Sequence, residues 1–101
     1  MRVVLSQPFK DDLLHAETHY FRISATLGEK MHSRVKESIR NIVRRRGGDH
    51  VGPHGYRCKR CAPFPWLVYY ELVGEELRIL ALLHERSDPD TLKRRASEAE
   101  Q

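Results

Sequence analysis

Arg57, Lys59, Arg60, His84 and Arg86 are the residues of this chain whose types could do chemistry together. Arginines stabilise negative charge that builds up on phosphorus, and histidine moves a proton near neutral pH. A cationic cluster holding one imidazole therefore suits phosphodiester chemistry. The condition is that the chain brings these residues to one place. If the segments 56–61, 66–73 and 77–83 form a meander, the start of the first strand is expected beside the end of the last. Arg57 would then approach His84 and Arg86, which makes these three the leading candidates. Lys59, Arg60 and Tyr70 are second choices, and Tyr69 or Tyr70 offers a hydroxyl or a stacking surface. The plainer reading is a basic surface patch with a structural histidine at a strand end.

Other constellations carry less. Cys58-x-x-Cys61 supplies two thiols, but a zinc site needs four converging ligands and the sequence holds no second cysteine pair. Positions three apart on a strand also point to opposite faces. The pair reads as two small, half-buried residues. His15 and His19 sit four apart with no HExxH pattern around them, so they read as surface histidines. His50 and His54 lie among glycines and read as solvated loop residues. No metal or cofactor is expected.

The elements that must position the candidates centre on 63–89. Two apolar runs, 66–73 and 77–83, flank Gly74-Glu75-Glu76 and predict a β-hairpin. Pro63 and Pro65 belong before the first strand, and Asp88-Pro89 ends the second. Ahead of the hairpin, 56–61 alternates weakly and predicts a strand. On strand spacing Arg57 and Lys59 share one face, and Tyr56, Cys58 and Arg60 the other.

Residues 2–5 are short and β-branched and predict a first strand. Pro8 suits a first helical turn, and Phe9, Leu13, Ala16, Tyr20, Ile23 and Leu27 recur at helical steps, predicting a helix over 8–25. Thr26 followed by Glu29 has the capping-box form, so a second helix is expected from Leu27 to about Arg45. Its apolar face is Met31, Val35, Ile39, Ile42 and Val43. Its other face is strongly basic, and Gly47-Gly48 is expected to end it. The short connection predicts an antiparallel helical hairpin. Residues 90–101 read as a charged, loosely packed tail with a helical turn or two at 91–96. The order is β-α-α-β-β-β. The fold class is α+β: one domain over 1–101, with a helical hairpin on a small, mainly antiparallel sheet.

At 101 residues, 40% hydrophobic and 32% charged, the chain can bury one core under a heavily charged surface. The net charge is 18 − 14 = +4, concentrated at 34–46 and 57–60. Such a patch suits a phosphate backbone or an acidic partner, or is simply a solvated helix face. No run is long enough to span a membrane, and the first residues are too sparsely apolar for a signal peptide, so a cytoplasmic location is expected.

With these residues in place, the sequence resembles the RelE/ParE superfamily of type II toxin–antitoxin toxins, often labelled plasmid stabilisation proteins. The matching residues are Asp12-Leu13, Arg57, Phe64-Pro65-Trp66 and Val68-Tyr69-Tyr70-Glu71. In the last strand they are Ile79-Leu80-Ala81-Leu82-Leu83-His84, followed by Arg86-x-Asp88-Pro89. The family commonly has Tyr where this chain has Trp66. The resemblance implies a toxin held inactive by a cognate antitoxin, whose flexible segment wraps it and whose other part carries the operator-DNA contact. It implies one of two activities. ParE-like members poison DNA gyrase; RelE-like members cleave mRNA in the ribosome without a metal. RelE-like toxins commonly place a catalytic Tyr, or a His-Tyr pair, near the C-terminus and are more basic. Nothing aromatic or imidazole follows His84, which favours the gyrase-directed branch. A ribosome-dependent mRNA endonuclease is the alternative. A diverged, non-toxic basic binding module remains a third reading.

Overall fold

The computed structural model describes residues 1–46 and 48–99. Its elements are β1 (Arg2–Leu5), α1 (Gln7–Ile23), α2 (Ala25–Arg44), β2 (Arg57–Arg60), β3 (Trp66–Val73), β4 (Glu76–His84) and α3 (Pro89–Ala99), with a single 3₁₀ turn at Pro53–Gly55. The strand order is β1-β4-β3-β2. β1 runs parallel to β4, and the other two pairings are antiparallel. This is the expected α+β architecture.

Ser6 begins α1. Its Oγ accepts the Phe9 N–H at 3.2 Å and donates to the Leu80 carbonyl at 3.1 Å, so one hydroxyl caps the helix and ties it to β4. Ser24 alone joins the helices, and its Oγ accepts the Leu27 N–H at 3.0 Å. The expected cap at Thr26 is thus displaced two residues upstream, and Thr26 is already helical. The tightness of the junction has a second source at Gly28. A Cβ there would stand 2.3 Å from the Phe21 ring, so glycine lets that ring lie on α2. At the far end of α2 the left-handed residue is Arg46, at φ 50°, rather than a glycine. Gly47, expected to help stop the helix, lies outside the described residues.

The sheet carries a buried cluster on each face. On the helical-hairpin side, Val68, Tyr70, Leu77, Ile79 and Leu82 pack with Phe9, Ala16, Met31, Val35 and Ile42. On the other side Tyr69, Ala81 and Leu83 pack with Leu92 of α3. A bulge makes this possible. Tyr69 pairs with Ala81 and Tyr70 with Ile79, so Leu80 is an extra residue on β4. The extra residue shifts the alternation, and Ile79 and Leu82 reach the same face although three positions apart. At the β3–β4 turn the loop is two residues, since Val73 pairs with Glu76, and Gly74 takes the φ of 62° that such a turn requires.

The tail expected to be loosely packed is instead a helix with Leu92 and Ala96 buried at 1% and 3% exposure. Two apolar residues four apart make a one-sided stripe, and that stripe closes the second face of the sheet. The end of the tail, Glu100 and Gln101, lies outside the described residues. A carboxylate secures α3. Asp12 of α1 accepts the Leu82 N–H at 3.2 Å and the Arg95 Nε at 3.1 Å. Burial raises the Asp12 pKa, while the Leu82 and Arg95 contacts act against that rise.

Folding holds the Asp12 proton more tightly than the unfolded chain does. Its contribution to stability is therefore full below pH 3.8 and is lost as pH rises through the raised value. Asp12→Ala strands a buried N–H and is expected to cost about 1–3 kcal/mol in urea unfolding. Asp12→Asn keeps an acceptor and should cost less, with the parent losing ground to it as pH rises. A parent that gains on the Asn variant with pH would refute burial as the dominant effect.

Candidate functional site

The cluster read from sequence divides in two. In a meander the first and third strands run in the same direction, so starts lie with starts. Arg57 pairs with Tyr70, which pairs with Ile79 near the beginning of β4. His84 pairs with Trp66, four residues away along β3. At strand rise that is about 13 Å. Arg57 stands level with the middle of β3 and His84 at one end of the sheet, and the expected approach of Arg57 to His84 and Arg86 is not made.

Arg57, Lys59 and Tyr70 converge on Asp49, a loop residue that no sequence pattern singled out. Arg57 and Lys59 do share a face, and it is the face of Tyr70. The Tyr70 hydroxyl donates to Asp49 Oδ2 at 2.6 Å, the Lys59 ammonium stands 4.0 Å from Oδ1, and the Arg57 guanidinium donates to the Asp49 carbonyl at 2.6 Å. The Asp49 side chain is 9% exposed, so the carboxylate is buried and its charge is met locally. Burial first, then the Asp49 hydrogen bond and charge, push the Tyr70 phenol well above its ordinary range. The arrangement holds a proton on Tyr70 rather than preparing it to leave. It fixes the 48–52 loop along the outer side of β2, where the Cys58 N–H reaches the His50 carbonyl at 3.1 Å.

His84 and Arg86 occupy the other end. The His84 ring meets Trp66 edge-on, with centroids 5.5 Å apart, and Trp66 Nε1 donates to the Tyr20 hydroxyl at 3.0 Å. His84 Nδ1 accepts the Arg86 N–H at 3.1 Å, which puts the proton of the neutral ring on Nε2. Arg60 lies at this end, paired with Glu85 at 3.4 Å. The exposed Arg86 guanidinium has no ion pair among the described residues. Beside His84 a cleft of about 400 Å³ opens between α1, β4 and α3, lined by Asp11, Asp12, His15, Trp66, His84 and Arg95. His15, read as a surface histidine, faces it. His15 and Trp66 are thus additions to the sequence reading; only their eventual nearness to His84 marks them, and spacing does not reveal that.

Of the cysteines, both read as half-buried, Cys58 is so and Cys61 is fully buried. Cys61 is buried with the helical-hairpin core and Cys58 packs on the other face. Burial raises both thiols. Among the described residues no three metal-ligating side chains come together, and no helix is long and apolar enough to cross a membrane.

A family model for the ParE toxin of type II toxin-antitoxin system, parDE, matches residues 3–89. The chain belongs to the ParE toxin family. The match takes in both ends of the sheet and stops where α3 begins. Among solved structures, one titled "Chromosomal ParDE TA system from P. aeruginosa" is similar with a TM-score of 0.62 and 19% identity, over 83% of this chain and 95% of that one. At that identity the likeness speaks for the fold. No curated protein matches the chain. In this ParE-family toxin, Arg57 is a member of a buried polar anchor, and His84 and Arg86 form a surface.

Asp49→Asn tests the anchor. The variant is expected to lose about 1–3 kcal/mol in urea unfolding, because Lys59 loses its charge partner while the Arg57 bond to the Asp49 carbonyl is kept. One tyrosine should ionise at lower pH than in the parent, followed by ultraviolet titration. An unchanged tyrosine profile would contradict the hold of Asp49 on Tyr70.

Proposed function

We propose that this ParE-family toxin inhibits DNA gyrase and is neutralised by a cognate antitoxin that covers α1 and β1. Membership of the family supports a toxin. One observation favours gyrase over mRNA: residues 85–101 hold no tyrosine or histidine to act as a second proton-transfer group beside His84, while Arg57, of the expected cluster, stands about 13 Å from it along the sheet. General acid–base cleavage needs an acid and a base at one phosphodiester. Arg57 is also already engaged by Asp49. What remains at the His84 end is a contact surface: Arg86 exposed beside a tryptophan-floored cleft. Tryptophan and arginine are the residue types that dominate protein–protein binding energy.

The antitoxin surface is argued from exposed apolar residues. Leu14 at 67% and Phe21 at 45% exposure lie two turns apart on α1, and Val3 and Leu5, each at 40%, lie on β1 at the edge of the sheet. An exposed apolar stripe and an open strand edge fit an amphipathic helix followed by an added strand. The similar solved structure is of a ParDE system, which is in keeping with an antitoxin partner.

Purified toxin is expected to inhibit gyrase supercoiling of plasmid DNA, with activity restored by the antitoxin. Gyrase that keeps working, together with mRNA cut in translating ribosomes, would replace this reading with the nuclease one. Arg86→Ala should fold normally yet weaken growth arrest at least tenfold in inducer dose. Leu14→Asp should instead loosen antitoxin binding and leave toxicity in place.

A further inference from the structure

The outer face of α2 is densely cationic. Lys36, Arg40 and Arg44 are all exposed and stand at four-residue steps, stacked along about 12 Å of helix axis. Arg45 and Arg46 continue the run. From Ser38 to Arg46 the chain holds no acidic residue. None of these five cations has an ion pair with a described residue; the nearby Arg34–Glu37 pair, at 3.6 Å, belongs to an earlier turn. Favourable interaction with the helix C-terminus accounts for Arg44 and Arg45 in the last turn. It does not account for Arg40 and Lys36, one and two turns earlier.

The shape and composition of this face narrow its partner. Large exposed apolar residues occur on β1, α1, β3 and at Val51, but none is on α2. A protein interface wants an aromatic or aliphatic anchor at its centre, and this face offers none. It is a ridge of one ammonium and several guanidinium groups, and guanidinium pairs bidentately with phosphate. A duplex carries one charge for about every 1.7 Å of its axis and presents grooves that accept a helix. Toward β2 the cationic surface continues into a cleft of about 190 Å³ lined by Arg34, Glu37, Asn41, Lys59 and Arg60.

We propose that the Lys36–Arg40–Arg44 ridge of α2 is a sequence-independent docking surface for the phosphate backbone of duplex DNA. The proposal rests on charge and shape and does not require gyrase to be the target. Being independent of base sequence, it is also distinct from recognition of an operator.

The test is fluorescence anisotropy of the full-length toxin with a labelled duplex of about 20 base pairs of arbitrary sequence, titrated from 50 to 200 mM salt. The parent should bind two unrelated duplexes equally. The triple variant Lys36→Gln/Arg40→Gln/Arg44→Gln should bind at least tenfold more weakly at low salt. Its log–log salt slope should be shallower by about 2.7, or 0.9 for each lost contact. Circular dichroism and thermal melting must match the parent, since all three residues are exposed; Glu37→Gln serves as a charge control on the same helix and should not weaken binding. Equal affinities for parent and triple variant would overturn the proposal. So would displacement of the duplex by a polyglutamate of equal charge at equal concentration, which would assign the ridge to an acidic protein. Tighter binding to an RNA of the same length would overturn the DNA assignment. Gyrase is absent throughout, so failure here and failure of the gyrase reading are distinguishable.

Discussion

β4 outruns its parallel neighbour. β1 covers Glu76 to Ile79, and the next five residues of β4 have no strand on that side. A strand edge buried between helices cannot leave its amides unpaired. Ser6 answers the Leu80 carbonyl and Asp12 answers the Leu82 N–H, both from the first turns of α1. The sheet is thus completed by a helix start rather than by a fifth strand. The same carboxylate then draws Arg95, so the partner that satisfies the sheet also docks α3. Asp12 joins three elements that are far apart in sequence, and the position of α1 over the sheet follows from it.

The bulge at Leu80 falls in this same stretch. Below it β4 alternates with its apolar side toward the helical hairpin. Above it both sides are apolar, because α3 covers the second face there. This explains why 79–83 reads as an uninterrupted apolar run whereas 76–78 alternates. Lower on the second face, Glu71, Glu76 and Arg78 form ion pairs at 3.7 and 2.7 Å where no helix covers them.

Much of this was legible beforehand. The helical hairpin, the strand order along the chain, the central hairpin and the fold class follow from periodicity, turn residues and apolar runs. The face shared by Arg57, Lys59 and Tyr70 follows from alternation and pairing. What was not legible depends on direction in space. The sequence places Arg57 and His84 in a meander, but their separation turns on which strand ends coincide, and the expectation inverted that. Asp49 was invisible because a lone carboxylate in a glycine-rich loop has no pattern; its role appears only once Tyr70 and Lys59 reach it. The tail looked solvated because nine of its twelve residues are polar or charged, and two buried side chains, Leu92 and Ala96, suffice to dock it. Membership of the ParE toxin family agrees with the resemblance drawn from the motifs, although Trp66 stands where Tyr is common.

The single-residue junction at Ser24 has a consequence for affinity. With the Ser24 N–H bonded to the Tyr20 carbonyl and its hydroxyl capping α2, the link between the helices has no slack. Phe21 seated over Gly28, and the Glu17–His32 contact between the helices, hold the same angle from farther along. A ligand that spans α1 and α2 meets a hairpin whose angle is already held. The ordering entropy of such a complex falls on the ligand alone, and a disordered partner can therefore fold onto this hairpin without the hairpin adding to the cost.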